Sequence, residues 1–238
     1  MAAASASSLA GARLRTVVLA WKIVAIGGLV TFAAYALFGA GFDSFFNRYW
    51  YNALIVLAAG AVIVRAVTAR TERVASIAFA CGLSAWAVGE ILFDFVYDGN
   101  PPYPSAADAF YLLFYPACYV GMMILVKHRL SEFGRMVWID GAMAAIAAAA
   151  LGSAVLFEVV FRHTDGSTSV IVTNLAYPLG DVLLLSAVAG VFALNRWKPD
   201  RTWGLIGASL LAATIADGIF LYQTAVGTYS EGTILDAL

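Results

Sequence analysis

Residues 88–99 read VGEILFDFVYDG, and they sit near the end of a run, 74–97, that is otherwise apolar enough to cross a lipid bilayer. Glu90 and Asp94 are four residues apart, so on a helix they share one face. An acid at the centre of a spanning helix costs roughly 2.5–3.5 kcal/mol on insertion scales, and less near the interface. The way this stretch accommodates two carboxylates decides both the fold class and where to look for function.

The rest of the chain settles the first point. Of 238 residues, 62% are hydrophobic and 12% charged, with a mean hydropathy of +0.85. Soluble domains carry about 25% charged residues. The composition therefore predicts an all-α, polytopic membrane protein. A spanning helix needs about 20 apolar residues. Seven segments qualify, at roughly 16–39, 51–68, 74–97, 107–127, 137–161, 171–194 and 203–224. An eighth begins near Gly232, at GTILDAL, so the chain reads as cut within an element of a longer parent. Residues 1–15 form a polar tail ahead of a transmembrane domain over 16–238. The first apolar run is longer than a signal-peptide core and is interrupted by Lys22, so it reads as a retained helix.

Basic residues set orientation. Arg13, Arg15, Arg65, Arg70, Arg73, Lys127, Arg129, Arg135, Arg196, Lys198 and Arg201 fall on one side of the predicted bundle. Arg48 and Arg162 fall on the other. The N-terminus is therefore expected in the cytoplasm, with the chain multi-pass in the plasma (inner) membrane. Trp138, Trp197 and Trp203 are expected at the inner interface, and Trp50, Tyr51, Tyr97, Tyr103 and Tyr229 at the outer one.

Weak internal similarity suggests tandem helical hairpins, at about 74–127, 137–194 and 203–238, the last truncated. EILFD at 90–94, EVVFR at 158–162 and DGIFL at 217–221 each place an acid three residues before Phe. Tyr115-Pro116 recurs as Tyr177-Pro178. Parallel repeats of this kind are known in membrane proteins. Pro116 and Pro178 are candidate hinges, because proline in a helix frees a carbonyl and bends the rod. A purely structural bend is the competing reading.

Glu90, Asp94, Asp181 and Asp217 fall in the outer halves of their spans, Asp108 at the outer end of the fourth, and Glu158 near the outer end of the fifth. Few basic residues are available to neutralise them. They must then be protonated, hydrogen-bonded, hydrated or bound to a cation. Three readings are open. The acids are interhelical hydrogen-bond glue with Asn174, Tyr177, Tyr111 and Gln223. Or Glu90, Asp94, Asp108, Asn174, Tyr177, Asp181 and Asp217 line an outward-facing pocket for a small ligand, cation or proton. Or they begin an ion path, against which the inner halves, such as AMAAIAAAALGSAV, argue by being small and apolar.

Other chemistry is not signalled. Cys81 and Cys118 lie in apolar runs and read as core residues, with no disulfide or metal spacing. His128 and His163 are expected on opposite sides. No phosphate loop, zinc motif, nucleophile elbow or dinucleotide fingerprint occurs, so no catalytic residue, metal or cofactor is expected. A net charge of −1 gives no hint of nucleic-acid binding.

PSAADAFYLLFYP at 104–116, TNLAYPLGDVLLL at 173–185 and ADGIFLYQTAVGTYSEGTILDAL at 216–238 resemble the N-terminal multi-helix membrane region of actinobacterial GGDEF/EAL signalling proteins. The resemblance covers about residues 74–238. It implies a sensory input module that regulates cyclic-di-GMP output domains on the cytoplasmic side, and a dimer in the parent. Neither a GGDEF nor an EAL motif occurs here, so no catalytic residue carries over. The alternative class is a small-solute or ion transporter.

Overall fold

The computed structural model describes residues 16, 18–34, 45–68, 72–129, 135–163, 167–225 and 228. They contain helices and turns and no strand. In chain order these are α1 (Val18–Ala34), a π-helical turn (Phe45–Trp50) running into α2 (Tyr51–Thr68), and α3 (Arg73–Ile91) running into a second π turn (Leu92–Val96). Then come α4 (Ala106–Arg129), α5 (Arg135–His163), α6 (Thr168–Leu194) and α7 (Arg201–Ala225).

Five helices are long and apolar enough to cross a membrane: Arg48–Thr68, Arg73–Val96, Ala106–His128, Thr168–Leu194 and Arg201–Phe220. The other two expected spans appear as shorter apolar stretches, Val18–Ala34 and Trp138–Ala154, among the described residues. The start of an eighth helix at 232–238 and the tail at 1–15 lie outside the described residues.

Packing is inverted relative to a soluble protein. Ala75, Ala80, Ala85, Gly82 and Gly89 are the buried face of α3, while Val74, Ile77, Val88 and Ile91 point outward. On α5, Ile146 is 69% and Leu151 71% exposed. In water such large apolar surfaces would be strongly unfavourable. In lipid they are matched by the solvent, and small residues are what let helix backbones approach. Gly141 and Gly190 show this at the α5–α6 crossing. A Cβ on Gly190 would lie 3.1 Å from the Gly141 carbonyl oxygen, and one on Gly141 2.8 Å from Leu194 Cγ.

The closest helix partners are α5 with α6, α3 with α4, and α2 with α3, while α4 and α6 also meet. Tyr115, Cys118, Met122, Leu125 and Val126 of α4 pack with Leu184, Val191 and Leu194 of α6 and with Trp203 and Leu210 of α7. Two expectations change here. Trp203 is a core residue, 2% exposed, rather than part of an interfacial belt. Cys81 is exposed, and only Cys118 is buried. Aromatic rings link the layers, from Trp86 to Phe114 (5.3 Å), Phe114 to Tyr115 (5.8 Å) and Tyr115 to Tyr177 (6.4 Å). Both α4 and α6 continue through their prolines; Pro178 is buried and Pro116 exposed.

Candidate functional site: a tyrosine–carboxyl cluster

The acids that stood out in the sequence meet hydroxyl and amide donors from neighbouring helices. Tyr111 and Tyr115 lie one turn apart on α4 and so project on one side of it. Tyr111 is hydrogen-bonded to Glu90 of α3. Tyr115 donates to Asp217 of α7 at 3.1 Å and also approaches Asp181 of α6. Tyr177 of α6 donates back to Asp108 of α4 at 2.9 Å. Tyr103, in the connection before α4, donates to Asn174 of α6. Glu90, Asp108, Asn174, Tyr177, Asp181 and Asp217 therefore belong to one cluster that ties α3, α4, α6 and α7 together near the α3–α4 connection.

A glycine precedes the acid at two of these contacts. A Cβ on Gly89 would lie 2.7 Å from Tyr111 Cε1, and one on Gly180 2.4 Å from Tyr115 Cδ1. Each glycine leaves the space in which a tyrosine ring reaches the neighbouring carboxyl. Gly89-Glu90 and Gly180-Asp181 thus act as matching cradles on either side of α4.

Asp108 has a second role. Ser105 donates to Asp108 Oδ2 through its backbone N–H (2.7 Å) and its hydroxyl (3.0 Å), and Ser105 Oγ accepts from the Ala107 N–H at 3.2 Å. This is a capping box, which satisfies backbone donors that a helix start leaves open. The spacing Ser105-x-x-Asp108 carries that signal in the sequence, where the acid reads as a pocket residue alone. One oxygen of Asp108 caps α4 while the other holds α6.

Asp94 reaches α2. It accepts from Asn52 Nδ2, which also donates to the Arg48 carbonyl at 2.8 Å. Asn52 follows one π turn, Phe45–Trp50, and Asp94 lies within the other, Leu92–Val96. Tyr97 N–H closes the second turn onto the Leu92 carbonyl at 3.0 Å. Single π turns re-aim side chains and are frequent at functional positions. At the rim Arg48 pairs with Asp98 at 2.7 Å and lies 5.0 Å from the Phe95 ring centroid. Arg48 itself lies within the first π turn. Asp98 and Gly99 take positive φ values of 52° and 76° to end the helix.

Asp181 is 2% exposed, and its Oδ2 has no hydrogen-bond partner. Asn52 Oδ1 is likewise buried without one. Outside the apolar helices, burial and the nearby Asp108 carboxylate push the Tyr103 phenol up to about 12.

No family model, no curated protein and no solved structure matches the chain. The geometry alone therefore identifies what the cluster can do. It offers oxygen acceptors and phenolic donors, which suit cations, protons or hydroxyl-bearing ligands. Among the described residues no group of three or more His, Cys, Asp or Glu is placed to hold a metal ion.

Two expectations fall elsewhere. The side chains of Glu158 and Arg162, on which the repeat in α5 rests, lie outside the described residues. Gln223 does not join the acids; its Oε1 is buried without a partner. An apolar groove of about 430 Å³ lies between α1 and α2, lined by Gly27, Gly28, Trp50 and Leu54 among others, and none of the acids reaches it.

Asn52 and Tyr115 are the hydrogen-bonding residues that sequence reasoning missed. Tyr115 read only as half of a Tyr-Pro echo. The glycine immediately before each cradled acid was the available signal. Asn52 carried a weaker one, as an amide near the start of an apolar helix.

Proposed function

We propose that the chain is a membrane-embedded input module, multi-pass in the plasma membrane, whose tyrosine–carboxyl cluster receives a small ligand or cation from the outer side. The observation that carries this reading is the cluster itself. Four helices are joined at one end by bonds that each pair a carboxyl or amide with a tyrosine hydroxyl from another helix or, for Tyr103, from the connection before α4. Any change in charge or hydrogen bonding at one carboxyl alters the contacts of two helices at once. Buried polar groups in spanning helices mark functional positions by default, because they are costly there.

Seven spans with the N-terminus in the cytoplasm, tandem hairpins, and coupling through the Pro116 and Pro178 bends to cyclic-di-GMP output domains in a longer, dimeric parent complete the proposal. Such coupling requires two states with different affinity for the signal. The rival is a small-solute or ion transporter, favoured by one observation, the nearly complete burial of the Asp181 carboxyl inside the bundle.

The test compares Glu90→Gln and Asp217→Asn with the wild type. An input module gives no substrate flux in proteoliposomes, while both variants change cyclic-dinucleotide output in the full-length parent. Flux that either substitution abolishes would establish the transporter. If both substitutions lower thermal stability and leave output and flux untouched, the acids are structural glue and the proposal fails.

A further inference from the structure

Asp181 and Asp217 are the part of the cluster whose hydrogen-bonding count does not close. Between them stands one hydroxyl, that of Tyr115, which has one proton to give. It lies 3.1 Å from Asp217 Oδ2. Asp181 Oδ2 is left with no donor in a residue that is 2% exposed. The two carboxyls act on each other through charge, yet no direct hydrogen bond joins them. Neither takes part in the described ion pairs, which join Arg48 to Asp98 and Arg65 to Glu72 at helix ends.

Among the described residues no positive charge faces these two carboxylates, which have one donor between them. From α4 the titratable group facing the pair is Tyr115, and from α6 it is Tyr177. Asp140, the titratable residue among the described side chains of α5, is exposed. None of these supplies a cation. The phenolic oxygen, having donated to Asp217, still offers lone pairs on its other side. Asp181 Oδ2, the Asp217 carboxylate and the Tyr115 oxygen are three hard oxygen donors from three helices. A calcium ion takes 6–8 oxygens, commonly with several carboxylates. Two carboxylates and a phenol fit a single positive charge better.

We infer that Asp181, Asp217 and Tyr115 form a binding site for one monovalent positive charge, an alkali cation of sodium size or a proton. This deepens the input-module reading, on which its role as a signal rests, by naming what the cluster receives. Occupation would close the hydrogen-bonding deficit at Asp181 and draw α6 and α7 together across Tyr115. Loss of the charge would leave two carboxylates facing each other and push the same helices apart.

The test is thermal unfolding of the purified 238-residue chain in detergent at constant ionic strength. At pH 8.5, NaCl replaces N-methyl-D-glucamine chloride stepwise; in a second arm, sodium-free samples run from pH 8.5 to pH 6. The expected result is a saturable rise in the wild-type midpoint, roughly 5–11 °C when sodium is about a hundred-fold above its Kd. The rise should vanish in Asp181→Asn and shrink in Tyr115→Phe. A rise on acidification alone, lost in the same variants, supports the site and identifies the charge as a proton. If Asp181→Asn does not fold, radioactive sodium binding to the wild type at one ion per chain supports the alkali site without a variant. The inference is overturned if the wild type responds to neither sodium nor acid, or if Asp181→Asn responds as the wild type does. A response in the chain without any effect on output in the full-length parent leaves the site standing and refutes the input module.

Discussion

Replacing Gly180 with alanine probes the cradle directly. The new Cβ would lie 2.4 Å from Tyr115 Cδ1, 2.6 Å from Cγ and 2.7 Å from Cε1. Those atoms belong to the base and edge of the ring, so no flexible tip can swing aside. The ring is 7% exposed, with Phe114 and Tyr177 on its flanks at 5.8 and 6.4 Å. It can move only by displacing a neighbour or separating α4 from α6. Overpacking of this kind costs about 1–3 kcal/mol. A shifted ring also draws its hydroxyl off Asp217, and interhelical hydrogen bonds in membranes contribute about 0.6 kcal/mol on average and at most about 1.7. Alanine returns up to about 1 kcal/mol of helix propensity. The net expectation is a loss of about 1–3 kcal/mol, or roughly 2–12 °C in the midpoint for a chain of this size. Gly27→Ala is the matched control, because a Cβ there meets nothing within 4 Å. It should leave stability unchanged or raise it by up to about 1 kcal/mol. Thermal unfolding of both variants in detergent reads the difference. A Gly180→Ala chain as stable as Gly27→Ala would refute the seating of Tyr115 against α6.

Three further outcomes follow from the same geometry. Asn52→Leu removes the donor shared by Asp94 and the Arg48 carbonyl and should destabilise by about 1–3 kcal/mol in equilibrium unfolding. A neutral result would mean that the two π turns do not meet at Asp94. Asp108→Ala should cost about 1 kcal/mol for the lost cap alone, and more because Tyr177 loses its acceptor. Hydrogen exchange of the first turn of α4 should speed up, and unchanged exchange would contradict the capping role. Because the Tyr103 phenol titrates near 12 when folded and near 10 when unfolded, the unfolded chain releases its proton first as pH rises. Its stabilising effect is complete below about pH 10 and is lost on the way to pH 12. Tyr103→Phe should therefore show a shallower fall in stability over that window, and parallel curves would sink the assignment.

Much of the fold was legible because long apolar runs have few physical outcomes. A segment such as 171–194 that is hydrophobic all round buries itself in lipid or in a core. The acids were legible for a related reason: Glu90, Asp181 and Asp217 are conspicuous where charge is costly. Their partners were harder to see. Tyr115 looks like any aromatic residue of an apolar helix until the cradle at Gly180 brings α6 against it. The π turns leave no compositional trace, since FFNRYW and LFDFV could equally continue as α-helix. The question raised by Asp94 has a local answer. It is the acceptor at which α2 and the turn following α3 are joined through Asn52.

The central claim is that α4, α6 and α7 meet at one polar site. A double-mutant cycle between Tyr115→Phe and Asp217→Asn, read by unfolding of the assembled chain, tests it most directly. Residues sharing one hydrogen-bond network couple by about 0.5–3 kcal/mol, and independent sites add to within about 0.3–0.5. A coupling above about 0.5 kcal/mol is the predicted result. Additivity of the two substitutions would contradict the account.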